Sequence, residues 1–149
     1  RLLISALGEF CHPTVPKSLE EVVDAADTGR IVVSGGLHPG HSTNATAALI
    51  AERVGAKLFI NATDVDGVYT VDPHRDKAAK KLKTIDVKRF TKLLAEGEMS
   101  AGTYELMDLV ALKVIERSRI SARIVKCSVK EIQAATEEKD IGTMIVVGD

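Results

Sequence analysis

Short apolar runs alternate with amphipathic helical patterns along the first part of the chain, and this alternation limits the folds that the sequence can adopt. Each apolar run has the length of a buried strand, and the helical segments carry their apolar residues on one face. The predicted order is strand 2–6, helix 19–28, strand 31–33, helix 44–54 and strand 57–62. Such alternation favours a mainly parallel sheet covered by helices on both faces. The sequence thus predicts an open α/β fold with three layers.

The remainder of the chain continues the pattern after a looser stretch rich in Asp, Gly and Pro. The predicted elements are helices near 87–96 and 106–118, a strand at 123–126, a helix near 130–137 and a strand at 144–147. A chain of 149 residues is long enough for one continuous core and short for two. We therefore expect a single domain over residues 1–149.

Composition excludes several classes of function. The 20 basic and 21 acidic side chains nearly cancel, so no global field draws the protein to nucleic acid or to an anionic membrane. No apolar run approaches the roughly 20 residues of a membrane span. Cys11 and Cys127 stand without metal-ligand spacing, so no metal site is expected. A small-molecule ligand and a cytoplasmic location are the resulting expectations.

The strongest chemical feature is the histidine loop, residues 34–43, between a predicted strand and a predicted helix. Its glycines let the backbone approach a phosphate, while helix N–H groups and the hydroxyls of Ser42 and Thr43 can donate to phosphate oxygens. His38 and His41 add possible donors. The alternative is a tight turn in which Thr43 merely caps the helix. Two of the four histidines in one loop favour a ligand site.

The second feature is the aspartate segment, residues 63–73, directly after the predicted strand 57–62. Its three aspartates and Tyr69 lie where ligands enter open α/β sheets. The carboxylates suit ribose hydroxyls or an ion, and the Tyr69 ring suits a base. A loop whose Asp-Gly and Asp-Pro steps simply form turns is an equally good interpretation.

Two further features favour structural roles. Lys77, Lys80, Lys81 and Lys83 form a basic cluster that could touch polyphosphate but better fits a solvated surface. Asp108 falls in a predicted helix among apolar residues, where a hydrogen bond between helices is favoured over a place in the site.

Together the two segments resemble the amino-acid kinase superfamily and, within it, the archaeal uridylate kinases. That family's loop, Gly-Gly-Thr-His-Pro-Gly-His-Thr-Thr-Asp, is similar to residues 35–44. Its segment Thr-x-Val-Asp-Gly-Val-Tyr-Thr-x-Asp-Pro is similar to residues 63–73 at every fixed place. The spacing between the segments also fits, and the likeness covers essentially the whole chain.

The resemblance implies a three-layer amino-acid kinase fold and transfer of the γ-phosphoryl group of ATP to UMP, with Mg²⁺ accompanying ATP. No protein nucleophile is required, because positioning and cationic stabilisation carry the reaction. A homohexamer is the implied assembly. The implied UMP-binding residues are Leu37, His38, Pro39, Gly40, His41, Ser42 and Thr43, and the implied ATP-binding residues are Thr63, Asp64, Tyr69 and Asp72.

The chain departs from the family pattern in three ways. Asn44 stands where the family places an acidic residue thought to organise the catalytic lysines, and Leu37 replaces a Thr. The family's N-terminal strand, its Gly-rich phosphate loop with the catalytic Lys, and its UMP-reading Asp have no counterpart. The resemblance therefore implies the C-terminal two-thirds of such an enzyme, with weak or absent catalysis from these 149 residues alone.

Two other classes stay open. A sister enzyme acting on carbamate, acetylglutamate, aspartate or isopentenyl phosphate would share the aspartate segment but not the His-Pro-Gly-His run of the histidine loop. A non-catalytic nucleotide-binding homologue would explain Asn44 and the missing Lys. A Rossmann dehydrogenase is disfavoured, because no GxGxxG follows the first predicted strand.

Overall fold

The computed structural model describes residues 1–71, 77–95 and 106–148. Four strands form one sheet, β1 (Leu58–Thr63), β2 (Thr84–Asp86), β3 (Ser121–Lys126) and β4 (Thr143–Val146). The helices are α1 (Leu2–Leu7), α2 (Leu19–Ala26), α3 (Thr43–Arg53), α4 (Val87–Ala95), α5 (Leu109–Ser118) and α6 (Val129–Thr136), with a 3₁₀ turn at Gly8–Phe10.

The sheet runs in the order β1-β3-β4-β2. β1 is parallel to β3 and β2 is parallel to β4, whereas β3 and β4 are antiparallel. The prediction of a mainly parallel open sheet is confirmed. Strand β2 was not predicted from the sequence; it has only three residues and lies directly before α4.

Helices pack on both faces of the sheet. The main core lies between the sheet and the helices α3, α4 and α5, and its fully buried large residues include Phe90, Leu106, Leu112, Ile115 and Ile145. Because side chains alternate across a strand, Ala122 and Ile124 of β3 enter this core while Arg123 and Val125 face the other side, against α6. The three-layer prediction is confirmed.

The prediction of a buried strand at residues 2–6 is wrong. These residues form α1, which has no buried residue; Leu2 is 90% exposed and Leu3 is 61% exposed. A strand leaves its backbone groups unpaired unless another strand lies beside it, whereas a helix satisfies them within the segment. The predicted strand at 31–33 is likewise reduced to one bridge between Cys11 and Ile31.

Helix α2 begins at Leu19 with Ser18 as its N-cap, as predicted from the sequence. The Ser18 hydroxyl accepts a hydrogen bond from the Glu21 backbone N–H at 3.2 Å, and the Glu21 carboxylate reaches back to the Lys17 N–H at 2.7 Å. This reciprocal arrangement satisfies two N–H groups that the helix itself leaves unpaired. Gly29, with φ 71°, follows the helix in the left-handed region that glycine adopts without strain.

A buried arginine holds the connection between α6 and β4. Arg123 is buried, and its Nη1 donates to the backbone carbonyl of Ile141 at 2.8 Å and to that of Lys139. These carbonyls follow the end of α6, so the guanidinium stabilises the turn that brings the chain back into β4. No signal in the sequence separates this arginine from a surface one.

Candidate functional site

The histidine loop leads into the first turn of α3. Ser42 is the N-cap, and its hydroxyl accepts a hydrogen bond from the Ala45 backbone N–H at 2.9 Å. The alternative of a cap at Thr43 is therefore wrong, because Thr43 is already the first helical residue. Gly40 has φ 85°, so this position in the loop favours glycine.

The two histidines of the loop are exposed and lie against each other. The ring centroids of His38 and His41 are 5.9 Å apart, with the ring planes at 80° to one another, an edge-to-face arrangement. The His41 backbone N–H donates to the His38 carbonyl at 3.4 Å across Pro39 and Gly40. The turn thus presents both imidazoles on one side of the loop.

A side chain distant in sequence holds the end of the loop. The Ser42 hydroxyl donates to Oδ2 of Asp108, which is the N-cap of α5. The other carboxylate oxygen, Oδ1, accepts the Ala111 backbone N–H at 2.7 Å. Asp108 is thus the cap of α5, rather than a residue inside that helix, and it contacts the candidate site.

Helices α3 and α5 lie side by side with their N-termini at the same end. At the opposite end, Nε and Nη2 of Arg117 donate to the Glu52 carboxylate at 2.8 and 2.6 Å, and the Ser118 hydroxyl donates to it at 2.6 Å. These hydrogen bonds hold the pKa of Glu52 below its ordinary value, with the largest effect from Arg117 and a smaller one from Ser118, although burial opposes the shift. The helix pair that carries the loop is therefore fixed at both ends.

A cavity of about 440 Å³ opens between the two N-termini. The loop side is formed by Gly40, His41, Ser42 and Ala45, and the other side by Leu94, Met107, Asp108, Leu109 and Val110. Three of the seven predicted UMP-binding residues thus line it, whereas Leu37, His38, Pro39 and Thr43 do not. Of the residues on this other side, the sequence pointed only to Asp108, for which a structural role was favoured.

The aspartate segment follows β1, as predicted. The Thr63 hydroxyl donates to Oδ1 of the neighbouring Asp64 at 2.9 Å, and Asp64 is exposed. Thr63, Asp64 and Tyr69 do not line the cavity beside the histidine loop. Asp72, the fourth predicted ATP-binding residue, lies outside the described residues.

Asp66, Tyr69 and Lys81 form a half-buried cluster within this segment. The Tyr69 hydroxyl donates to Oδ1 of Asp66 at 2.7 Å, and Lys81 Nζ lies 3.0 Å from Oδ2. Burial raises the pKa of Asp66, but the hydrogen bonds from Tyr69 and Lys81 outweigh it and leave that pKa below its ordinary value. The same hydrogen bond to Asp66 raises the pKa of Tyr69. The phenol is thus held by Asp66, and its half-buried ring packs against the core.

A buried threonine from β4 anchors the middle of the segment. Thr143 is completely buried; its hydroxyl accepts the Val68 backbone N–H at 2.9 Å and donates to the Leu82 carbonyl at 2.5 Å. Gly67 packs so closely that an added Cβ would lie 2.6 Å from the Thr143 hydroxyl oxygen. The aspartate segment is therefore bound to the sheet through its backbone.

Two of the four lysines of the basic cluster, Lys81 and Lys83, are paired with carboxylates. Lys81 pairs with Asp66, and Lys83 Nζ lies 3.0 Å from Asp140 with both side chains strongly exposed.

Within residues 1–71, 77–95 and 106–148, His, Cys, Asp and Glu form no group of three or more able to hold a metal ion. In the same ranges, no helix is long and apolar enough to cross a membrane.

Residues 4–126 match the family model of the amino acid kinase family. The chain belongs to this family. It is 43% identical over 146 residues to the uridylate kinase of Hyperthermus butylicus, covering 97% of this chain and 64% of that protein. Against the uridylate kinase of Methanothermobacter thermautotrophicus it is 42% identical over 146 residues, covering 98% of this chain and 65% of that protein.

Solved structures of the amino acid kinase family agree with this fold. The crystal structure of uridylate kinase from Archaeoglobus fulgidus superposes with a TM-score of 0.86 at 36% identity, covering 97% of this chain and 65% of that one. The family resemblance drawn from the two segments is thus confirmed. The chain spans about two thirds of the length of the relatives that it matches.

Proposed function

We propose that this chain is part of a nucleoside monophosphate kinase that transfers the γ-phosphoryl group of ATP to UMP, giving UDP and ADP. The observation that carries the proposal is the position of the histidine loop, which forms one wall of a cavity of about 440 Å³ at the start of α3. Relatives named uridylate kinase, 43% and 42% identical across nearly the whole chain, support the choice of UMP as the acceptor.

The UMP site that we propose comprises residues 37–43, with Gly40, His41 and Ser42 lining the cavity. The first turn of α3 leaves backbone N–H groups unpaired and places the positive end of the helix dipole there, which suits an anionic phosphate. Leu94 and Met107 give the opposite wall an apolar surface suited to a pyrimidine ring. One site thus offers complementary surfaces to both ends of the nucleotide.

The ATP site that we propose comprises Thr63, Asp64, Tyr69 and Asp72. Because the Tyr69 hydroxyl is held by Asp66, its ring rather than its hydroxyl is available to the adenine. The substrate is the Mg²⁺ complex of ATP. Asp64 is an exposed carboxylate of the kind that contacts Mg²⁺ or its waters, beside the Thr63 hydroxyl.

The reaction needs no nucleophile from the protein, because the UMP phosphate itself attacks the γ-phosphorus of ATP in line. The chain contributes by orienting the two nucleotides and by stabilising charge on the transferred group. Asn44, at the second position of α3, can donate or accept hydrogen bonds there but carries no negative charge. The groups that stabilise charge would then come from outside the two segments.

Binding and transfer are tested separately, since the chain spans 64% of the length of one relative. Titration calorimetry with UMP, CMP and AMP is expected to show binding of UMP. Thr43→Val should weaken it several-fold by removing an exposed hydroxyl at the helix start. Thr136→Val, on α6, is the matched control and should leave UMP binding unchanged. UDP formation from ATP is then measured on the same sample.

The outcomes separate two functions. UDP formation supports the kinase. UMP binding without transfer is the result expected of these 149 residues as part of the kinase. The second candidate, a non-catalytic nucleotide-binding homologue favoured by the neutral Asn44, is supported if the full-length protein also forms no UDP. If the protein binds neither UMP nor ATP, the proposal fails.

Assembly and location belong to the same proposal. We expect a homohexamer, as the family resemblance implies, and a cytoplasmic location with small-molecule partners, as the composition favours. Sedimentation velocity at several protein concentrations tests the assembly, and a monomer at every concentration would contradict it for this chain.

A further inference from the structure

One carboxylate serves the N-termini of two helices that are far apart in sequence. Oδ1 of Asp108 accepts the Ala111 backbone N–H of α5 at 2.7 Å, while Oδ2 accepts the Ser42 hydroxyl. That hydroxyl oxygen in turn accepts the Ala45 backbone N–H of α3 at 2.9 Å. A continuous chain of three hydrogen bonds therefore links the first turns of α3 and α5.

This chain fixes the end of the histidine loop at the cavity. The loop residues Gly40, His41 and Ser42 line one side of the cavity, and Asp108 lines the other. The hydrogen bond between Ser42 and Asp108 therefore joins the two sides. The opposite ends of the two helices are already joined through Glu52 and Arg117. Loss of the Asp108 link would leave that distant joint intact and free only the end that carries the loop.

We propose that Asp108 is a positioning residue that holds the histidine loop in its ligand-binding conformation. It acts through Ser42, whose hydroxyl donates its hydrogen to the carboxylate and so has none left for a phosphate. The other hydroxyl of the loop, that of Thr43, is exposed and lies outside the lining of the cavity. The identity of the ligand rests on the proposed UMP site, whereas the mechanical link does not.

Two substitutions at the same position separate the link from helix capping. In Asp108→Ser the shorter side chain still caps α5 but does not reach Ser42. In Asp108→Asn the side chain caps α5 and can still hydrogen-bond to Ser42, so it serves as the conservative rescue. Ser128→Ala is the matched control, because it removes the N-cap of α6, where the Ser128 hydroxyl accepts the Glu131 N–H at 3.3 Å.

The experiment uses the whole chain and two measurements. Amide hydrogen exchange by NMR follows Ala45 on α3 and Ala111 on α5, and calorimetry follows UMP binding. For Asp108→Ser we expect exchange at Ala45 to rise about fivefold or more, the size of the lost hydrogen bond that holds Ser42 in place, while Ala111 changes less. UMP should bind several-fold more weakly to Asp108→Ser and nearly normally to Asp108→Asn.

The results distinguish the proposal from two other outcomes. If Asp108→Ser leaves exchange at Ala45 unchanged and merely lowers stability as Ser128→Ala does, Asp108 is only a cap of α5 and the proposal is overturned. It is also overturned if UMP binds Asp108→Ser as tightly as the parent protein. If the parent protein binds no UMP but Ala45 loses protection in Asp108→Ser, the UMP proposal fails while the link stands.

Discussion

The histidine loop and the aspartate segment both lie beside the ends of regular elements, but the protein holds them in different ways. In the aspartate segment, the completely buried Val68 donates its backbone N–H to the buried Thr143 hydroxyl. Lys81 holds the side chain of Asp66 in the same segment. The histidine loop is exposed over most of its length, and within the part of the chain that the structure describes its side-chain hydrogen bond to a distant element lies at its end, between Ser42 and Asp108.

The difference separates two ways of building a binding surface. Buried backbone anchoring makes the conformation of the aspartate segment part of the stability of the whole fold. The histidine loop can change shape at little cost to the core, because only helix caps and one side-chain link restrain it. Substitutions in the first region should therefore change the free energy of unfolding, whereas those in the second should mainly change ligand affinity.

A pair of glycine substitutions gives the largest expected contrast. Gly67→Ala brings a Cβ to 2.6 Å from the Thr143 hydroxyl oxygen at φ 151°, so overpacking adds to backbone strain. We expect a loss of about 3 kcal/mol in the free energy of unfolding. Gly40→Ala has φ 85° but no atom within 4 Å of the new Cβ, so strain alone costs about 1 kcal/mol.

Urea unfolding of the two variants and the parent measures both values. Equal losses at the two glycines would contradict the distinction between an anchored segment and an open loop.

Thr143→Val tests the anchor itself with nearly constant volume. The Val68 N–H and the Leu82 carbonyl would both lose their buried partner, at a cost of about 2 kcal/mol. Thr143→Ser keeps the hydroxyl and loses only a methyl group, so it should recover part of that loss. A Val variant as stable as the parent protein in chemical denaturation would show that the anchor is dispensable.

The sequence predicted those parts of the fold that depend on neighbouring residues. The capping pair Ser18 and Glu21 predicted α2, and Ser42 capping α3 differs by one residue from the alternative considered. Short apolar runs were less informative, because a run such as 2–6 suits a strand or a helix equally until a partner strand is known. Its exposure in α1 is a property of the tertiary arrangement.

The candidate site divides in the same way. The two segments were found from glycine, hydroxyl and carboxylate patterns within a dozen residues each. The Ser42–Asp108 link joins positions 66 apart, and Thr143 anchors Val68 from 75 residues away. Such pairs are fixed by how helices and strands pack, and patterns among neighbouring residues do not reveal that packing.

The Asp66 cluster should make the anchored segment sensitive to acid. Folding lowers the pKa of the Asp66 carboxyl from its ordinary value of 3.8. The stabilisation that the carboxylate provides is therefore complete above pH 3.8 and is lost as the pH falls through the pKa of the folded protein. Because Asp66 is 39% exposed and Lys81 38%, solvent screening limits the effect to about 1 kcal/mol or less.

Asp66→Asn measures this contribution. The variant should be less stable than the parent at neutral pH, and the difference should shrink as the parent carboxylate is protonated. Asp140→Asn is the control, because it removes a carboxylate that also pairs with a lysine, Lys83, but in a pair whose side chains are both strongly exposed. A difference between parent and Asp66→Asn that does not change between neutral and acidic pH would contradict the assignment.

Asn44→Asp should have the smallest effect on stability, and it tests whether the loop is tuned for affinity rather than for folding. A carboxylate at the second position of α3 interacts favourably with the helix dipole, which should add about 0.5 kcal/mol to the free energy of unfolding. The same charge lies next to the proposed phosphate site and should weaken UMP binding by repulsion. Asn44→Ser, neutral and short, is the control. If Asp and Ser alter UMP affinity equally, the charge is irrelevant there, and the phosphate does not lie at the start of α3.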